Sequence, residues 1–278
     1  MHEDNGPFVG GESMDPRVDT PKAKVALVLQ GGGALGAYQL GVYRAMEERG
    51  CLPEWIAGTS IGAINGAIIA GNPPGTRVSR LEEFWRQIST ADFCDLTQAP
   101  DVVCEANSLL SAAQTILAGR PGFFSPSMLP WSFGLLPGSC ERASFYDTAE
   151  LRFTLLRLVD FDEINAGQIC LTLDAVRVRS GELVRFDSAL HRIGPEHIMA
   201  SAALPPGFPG IRIDGELYWD GGVFSNTPLD ALLDGSAQTD ILCFIVDLWN
   251  TQGPEPRTIA EVQTRQKDIL YASVVSLK

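Results

Sequence analysis

The 278-residue sequence has only three histidines, no CxxC pair, no block of Lys or Arg, and no apolar run near the ~18 residues that cross a bilayer. Without CxxC the simplest zinc and redox motifs fall away. The six cysteines (Cys51, Cys94, Cys104, Cys140, Cys170, Cys243) are irregularly spaced and read as small buried hydrophobes in a reducing compartment. Without a basic block, and with a net charge of −13, a nucleic-acid partner is not expected, because phosphate binding needs clustered cations. The same charge disfavours electrostatic attachment to anionic lipid, so any membrane contact is expected to be transient or apolar. Residues 1–21 lack the basic and apolar stretches of a secretory signal. They read as an acidic, disordered arm, and the chain is expected to be cytoplasmic, at most peripheral to a membrane.

What is present points to an enzyme rich in loops. Hydrophobic residues make up 45% of the chain, with 28 Gly and 18 Pro spread between apolar runs, a balance that suits one domain with a sizeable core. Lys24 to Gln30 is a short continuous apolar run that reads as a strand buried on both faces. Gly31-Gly32-Gly33-Ala34-Leu35-Gly36 follows and opens a helix over Ala37 to Arg49, stopped by Gly50. A second strand, Glu54 to Ala57, enters Gly58-Thr59-Ser60-Ile61-Gly62 and then an apolar helix from Ala63 to Ala70. Two successive strand, turn and helix units imply an α/β fold with a parallel sheet.

Helices are predicted over Arg77 to Gln87, Leu109 to Leu117, and Thr148 to Val159 behind an Asp147 cap. The stretch from Pro121 to Gly138 is apolar but broken by Pro and Gly. Its core from Phe123 to Leu136 reads as an acyl-chain or lipid contact, or equally as buried core. A hairpin joins Ile169 to Val178 with Leu183 to Asp187 through Ser180-Gly181. A helix near Glu196 to Ala203 precedes a short strand from Leu217 to Trp219, and Asp240 to Leu248 reads as another buried strand. A final helix from Ile259 to Lys278 ends without a cap, which suggests a chain that continues.

Gly58-Thr59-Ser60-Ile61-Gly62 matches the G-x-S-x-G nucleophile elbow, between a strand and a helix as that motif requires. A serine hydroxyl needs a base. His191 or His197 with Asp174 or Asp187 would satisfy a triad, but neither histidine sits in a loop at a strand end. Asp220, in Trp219-Asp220-Gly221-Gly222, is the better candidate: it closes a short strand, and partial burial beside Trp219 would raise its basicity. The competing view is a solvated Asp in an ordinary turn. Gly31-Gly32-Gly33 ahead of a helix offers converging amides for an oxyanion. Gly31, Gly33 and Gly36 also satisfy G-x-G-x-x-G, but no acidic residue ends a second strand ~20 residues on, as a dinucleotide site requires.

Taken in order, GGGALGAYQLGVYRAMEERG (31–50), GTSIGAINGAIIAG (58–71), ASAALPPGFPGIRI (200–213) and YWDGGVFSNTPL (218–229) resemble the patatin-like phospholipases. The resemblance covers roughly residues 24 to 249. It implies a three-layer α/β/α sandwich with a mostly parallel central sheet, and a lipid acyl hydrolase that uses a Ser/Asp dyad without histidine, metal or cofactor. By position it implies Ser60 as nucleophile, Asp220 as general base, and Gly31, Gly32, Gly33 and Ala34 as the oxyanion hole. Leu35 stands where many members carry Arg or Lys. On this reading residues 22–250 form the acyl hydrolase domain, and residues 251–278 begin a helical extension found in a bacterial branch. The substrate would be a lipid or other acyl ester. Alternatives on the same dyad are acyl transfer and depolymerisation of a polyester, and a further one is a lipid-binding module without catalysis.

Overall fold

The computed structural model describes residues 23–89, 118–127, 141, 143–235 and 240–272. The predicted helix over 109–117 and most of the broken apolar stretch lie outside them. Strand β1 (Lys24–Leu29) has every residue after Lys24 buried, as its unbroken apolar run requires of a strand covered on both faces. Helix α1 (Ala37–Glu48) ends where Gly50 takes a left-handed φ of 68°, a conformation open to glycine at little cost. Strand β2 (Trp55–Gly58) leads through Ser60 into helix α2 (Ile61–Ala70), all ten residues of which are buried. Helix α3 (Arg77–Ile88) buries Leu81, Phe84 and Trp85 at helical spacing.

The two-residue strands β3 (Ser125–Pro126) and β4 (Tyr146–Asp147) pair apart from the main sheet. Helix α4 (Ala149–Leu158) follows, with the Asp147 carboxylate accepting from the Ala149 N–H at 2.7 Å. Helix α5 (Phe161–Ala166) is absent from the sequence reading, yet its signals are local: Asp160 caps the amides of Asp162 and Glu163, and Gly167 closes it at positive φ. Strands β5 (Cys170–Arg177) and β6 (Leu183–Asp187) form the expected hairpin. Helix α6 (Pro195–Ser201) precedes a second hairpin of β7 (Ile211–Ile213) and β8 (Glu216–Asp220). It turns at Asp214 and Gly215, both at positive φ. Helix α7 (Asp230–Gly235), strand β9 (Ile241–Val246) and helix α8 (Ile259–Tyr271) complete the described chain.

Seven strands form one sheet in the order β7, β8, β5, β2, β1, β9, with β6 also paired to β5. The pairs β9·β1, β1·β2 and β2·β5 are parallel, whereas β5·β6, β5·β8 and β7·β8 are antiparallel. On one face Leu27, Leu29, Ile56 and Leu171 pack with Ile64 and Ile68 of α2 in the main core. Each such side chain contributes roughly 1.5–3 kcal/mol by leaving water. On the other face Ala26, Val28 and Ala57 meet Ala231 and Leu232 of α7. The mostly parallel sheet is thus covered by helices on both sides, as expected. Strand β9 departs from its predicted burial: Leu242 and Ile245 are exposed, because β9 is an edge strand paired to β1 alone among the described residues.

Register explains how two distant motifs meet. Strand β6 occupies one edge of β5 over Thr172 to Val176, so β2 and β8 must share the other. Strand β2 runs parallel to β5 and stops with Gly58 opposite Leu173. Strand β8 runs the opposite way and stops with Asp220 opposite Ala175. The two strands therefore advance on each other along a single edge, and their C-terminal ends face across Asp174.

Candidate active site

Ser60 sits at φ 58°, ψ −125°, a strained conformation for a residue with a side chain and typical of functional turns. Its N–H donates to the Ser201 carbonyl at 3.0 Å. The turn closes so tightly that a Cβ on Gly62 would lie 2.1 Å from the Leu29 carbonyl oxygen. Glycine at that position is therefore a steric requirement.

Asp220 ends β8 and is 1% exposed. Its N–H donates to the Ala203 carbonyl at 3.0 Å, and its Oδ1 accepts from the Gly222 N–H at 2.7 Å. Beyond it, a Cβ on Gly221 would meet the Asp174 carbonyl oxygen at 2.5 Å, so only glycine lets the chain turn against β5. Burial pushes the Asp220 carboxyl up to about 7, against opposing contributions from the Ser60 hydroxyl and the Gly222 amide. Ser60 lines the same cavity, although no hydrogen bond within 3.5 Å joins the two side chains. Oδ2 is buried without a hydrogen-bond partner among the described residues. An unsatisfied buried carboxylate oxygen beside a serine is costly for folding and useful for taking a proton. Asp220 is therefore not a solvated turn residue.

Ser60, Asp220, Gly31, Gly32 and Gly33 line one cavity of about 190 Å³. Gly31 is tied on both sides: its N–H donates to the Asn226 carbonyl at 3.1 Å, and its carbonyl accepts from Asn226 Nδ2 at 2.8 Å and Trp249 Nε1 at 2.7 Å. Its amide, expected to face an oxyanion, is committed to the framework. The amides of Gly32, Gly33 and Ala34 have no acceptor among the described residues. Leu35 is exposed and does not line the cavity.

The buried Gln30 side chain holds the base of this loop. Its Nε2 donates to Thr227 Oγ1 at 2.8 Å, and its Oε1 accepts from the Leu248 N–H at 2.5 Å. Asn65 of α2 bonds the Gly36 carbonyl at 3.0 Å and Gln39 Oε1 at 2.8 Å. The strand, loop and serine helix are thereby locked together through buried polar contacts.

The two described histidines stand elsewhere. His197 is buried on α6, its Nδ1 accepting from the Gly194 N–H at 3.0 Å and its ring packed edge-on to Phe186, and burial lowers its pKa. His191 is exposed, and neither lines the cavity. Asp187 accepts from Thr172 Oγ1 at 3.1 Å and does not line the cavity. Asp174 lies between the two strand ends, but its carboxylate faces Arg185 at 3.6 Å. Phe123 and Phe124 pack against Phe208, which favours core for the start of the broken apolar stretch.

Sequence reasoning missed several residues. The segment from Ser201 to Ala203 holds the backbones of both Ser60 and Asp220, and Asn226 and Trp249 hold Gly31. Trp249, Lys267 and Tyr271 also line the cavity, and burial together with the charge of Asp220 raises the Tyr271 pKa. The segment around Ser201 and Asn226 falls within the quoted motifs. Nothing local in the sequence joins Trp249 or α8 to the glycine loop.

Residues 27–233, well over half the chain, match the patatin-like phospholipase family. Patatin-like phospholipase domain-containing protein 7 of Rattus norvegicus is 40% identical over 209 residues, 74% of this chain and 12% of that protein. Patatin-like phospholipase domain-containing protein ZK370.4 of Caenorhabditis elegans is 25% identical over 234 residues, 82% of this chain and 14% of that protein. Lysophospholipase nte1 of Aspergillus terreus is 59% identical over 46 residues, 16% of this chain and 3% of that protein. The chain thus spans a small fraction of these relatives' length. Among solved structures, VipD from Legionella pneumophila aligns with a TM-score of 0.43 at 16% identity, covering 81% of this chain and 50% of that one. A family match that takes in both the serine turn and the Asp220 turn means that this chain belongs to the patatin-like phospholipases.

Proposed function

We propose that this chain hydrolyses lipid acyl esters through an acyl-enzyme on Ser60, with Asp220 as the general base. The observation that carries the reading is the buried Asp220 carboxylate, raised to about 7, with Oδ2 unpartnered, in one cavity with a strained serine. A base whose pKa lies near neutrality combines availability with proton affinity.

In the first half-reaction Asp220 takes the Ser60 proton as Oγ bonds to the ester carbonyl carbon. The amides of Gly32, Gly33 and Ala34 hold the resulting oxyanion, while Gly31 keeps the loop in place. Collapse breaks the ester C–O bond, and protonated Asp220 returns the proton to the departing alcohol. In the second half-reaction Asp220 deprotonates water, which attacks the acyl carbon, and Ser60 leaves with the proton as the fatty acid is released. No step needs a metal or cofactor.

Lipid as the substrate is supported by the family and by the lysophospholipase name of the Aspergillus terreus relative. Leu35 and Tyr38 beyond the glycine loop, and Val223 and Phe224 beyond Asp220, are large exposed apolar side chains. They suit a transient approach to a lipid surface. No helix of the described residues is long and apolar enough to cross a membrane. The test is fatty-acid release from phospholipid and p-nitrophenyl esters by the unmodified chain, Ser60→Ala and Asp220→Asn. Release abolished in both folded variants is expected, and release surviving in Ser60→Ala would refute the reading.

A further inference from the structure

Helix α8 lies beyond the family match, which ends at residue 233, yet it supplies part of the cavity that holds Ser60 and Asp220. It is anchored to the residues that brace the glycine loop. The Tyr271 carbonyl accepts from Asn226 Nδ2 at 2.8 Å and Gln30 Nε2 at 3.1 Å. The Tyr271 ring stacks at a tilt on Trp249 with centroids 5.6 Å apart. Upstream, Arg265 Nη1 donates to the Asn250 carbonyl at 3.0 Å. Lys267 is four residues before Tyr271 and so shares its helix face. Its Nζ lies 5.3 Å from the centre of the Trp249 ring, close enough for a cation–π contact that restrains the ammonium. Trp249 in turn bonds the glycine loop through Gly31.

Lys267 is the sole Lys or Arg lining the cavity among the described residues, in a chain of net charge −13. The contact that the structure gives the ammonium is the Trp249 ring face, which leaves it able to meet an anion as well. About 190 Å³ accommodates an ester and the few atoms on either side of it, below the ~300 Å³ at which pockets begin to enclose a drug-sized ligand. A long acyl chain must therefore extend beyond the cavity, and an ester whose alcohol side points toward α8 lies beside Lys267.

We propose that Lys267 is a specificity-determining residue that binds a phosphate on the alcohol side of the acyl ester held at Ser60. This rests on the Ser60/Asp220 reading of the cavity. An ammonium beside a phosphate is a charge-assisted contact that lowers KM for the phosphate-bearing ester and leaves its neutral counterpart unaffected.

The test compares hexanoyl lysophosphatidylcholine with hexanoyl monoacylglycerol, both soluble monomers, on the unmodified chain, Lys267→Gln and Lys267→Arg. The expected result is about a five- to tenfold fall in kcat/KM for the phospholipid with Lys267→Gln, carried by KM, recovered in Lys267→Arg, and absent for the monoacylglycerol. An equal loss on both substrates, or no loss on either, would overturn the proposal. So would inhibition of monoacylglycerol hydrolysis by inorganic phosphate that vanishes in Lys267→Gln without any preference between the lipids, since that pattern marks a free-anion site. If the unmodified chain cleaves neither ester, the catalytic reading fails instead. Calorimetric binding of hexyl phosphate against hexanol, compared between the unmodified chain and Lys267→Gln, then decides the Lys267 contact by itself.

Discussion

Replacing Asp220 by Asn is expected to abolish hydrolysis and at the same time stabilise the fold, by an amount that grows with pH. Burial raises this carboxyl from 3.8 to about 7. Between those values the folded chain keeps a proton that the unfolded chain has released. Stability is therefore undisturbed by this group below about pH 4, falls as pH rises toward 7, and carries a constant penalty above that. A displacement of about three pKa units, at about 1.4 kcal/mol each, gives a penalty of ~4 kcal/mol at pH 8. Asn keeps the side chain's shape and an oxygen for the Gly222 N–H, but it never has to ionise. Asp174, raised to about 6 mainly by burial, adds its own pH dependence to both proteins and cancels in the comparison. Urea unfolding at pH 5.5 and pH 8, both above the pI of about 4.6, should show the Asn variant ahead at each. Its lead should widen by about 2 kcal/mol between the two, and at pH 8 should correspond to roughly 10 °C in melting temperature. A lead that does not change with pH, or an Asn variant less stable at both values, would refute the claim that Asp220 is held in a buried and poorly satisfied site.

On the proposed mechanism the rate of ester hydrolysis should rise with pH through a single ionisation near 7 and then level off, because a base must be charged to accept a proton; a profile flat from pH 5 to 8 would argue against it. Gly62→Ala should destabilise the chain by about 3 kcal/mol or more in thermal or urea unfolding, since its methyl would meet the Leu29 carbonyl oxygen at 2.1 Å. Asn226→Ala removes the side-chain bonds to Gly31 and Tyr271 and should lower kcat by about 10- to 100-fold with a smaller change in KM, as steady-state kinetics on a soluble ester would show.

Much of this was legible in the residues themselves. The unbroken apolar run of β1 announced a strand covered on both faces. The glycines around Ser60 announced a turn in which no side chain fits, and that geometry is local: Gly62 is indispensable because the strand end and the helix start are separated by only two residues. Helix α5 was equally local, with its Asp160 cap and closing Gly167, and was simply passed over.

The tertiary structure decided the rest, because the deciding contacts join segments far apart in the chain. Burial of Asp220 depends on β2 and β8 meeting head-on along one edge of β5; a pattern of turn residues carries no information about which strand ends share an edge. The commitment of the Gly31 amide depends on Asn226, 195 residues away. Strand β9 has the composition of an interior strand and became an edge because, among the described residues, only β1 pairs with it. Helix α8 read as the start of a helical extension, and the hydrogen bonds from Gln30 and Asn226 to its last residue bring Lys267 and Tyr271 to the cavity. The sequence alone determined which residues could do chemistry. Which of them lost water, lost their partners and came to face one another was determined by long-range packing, which no local window encodes.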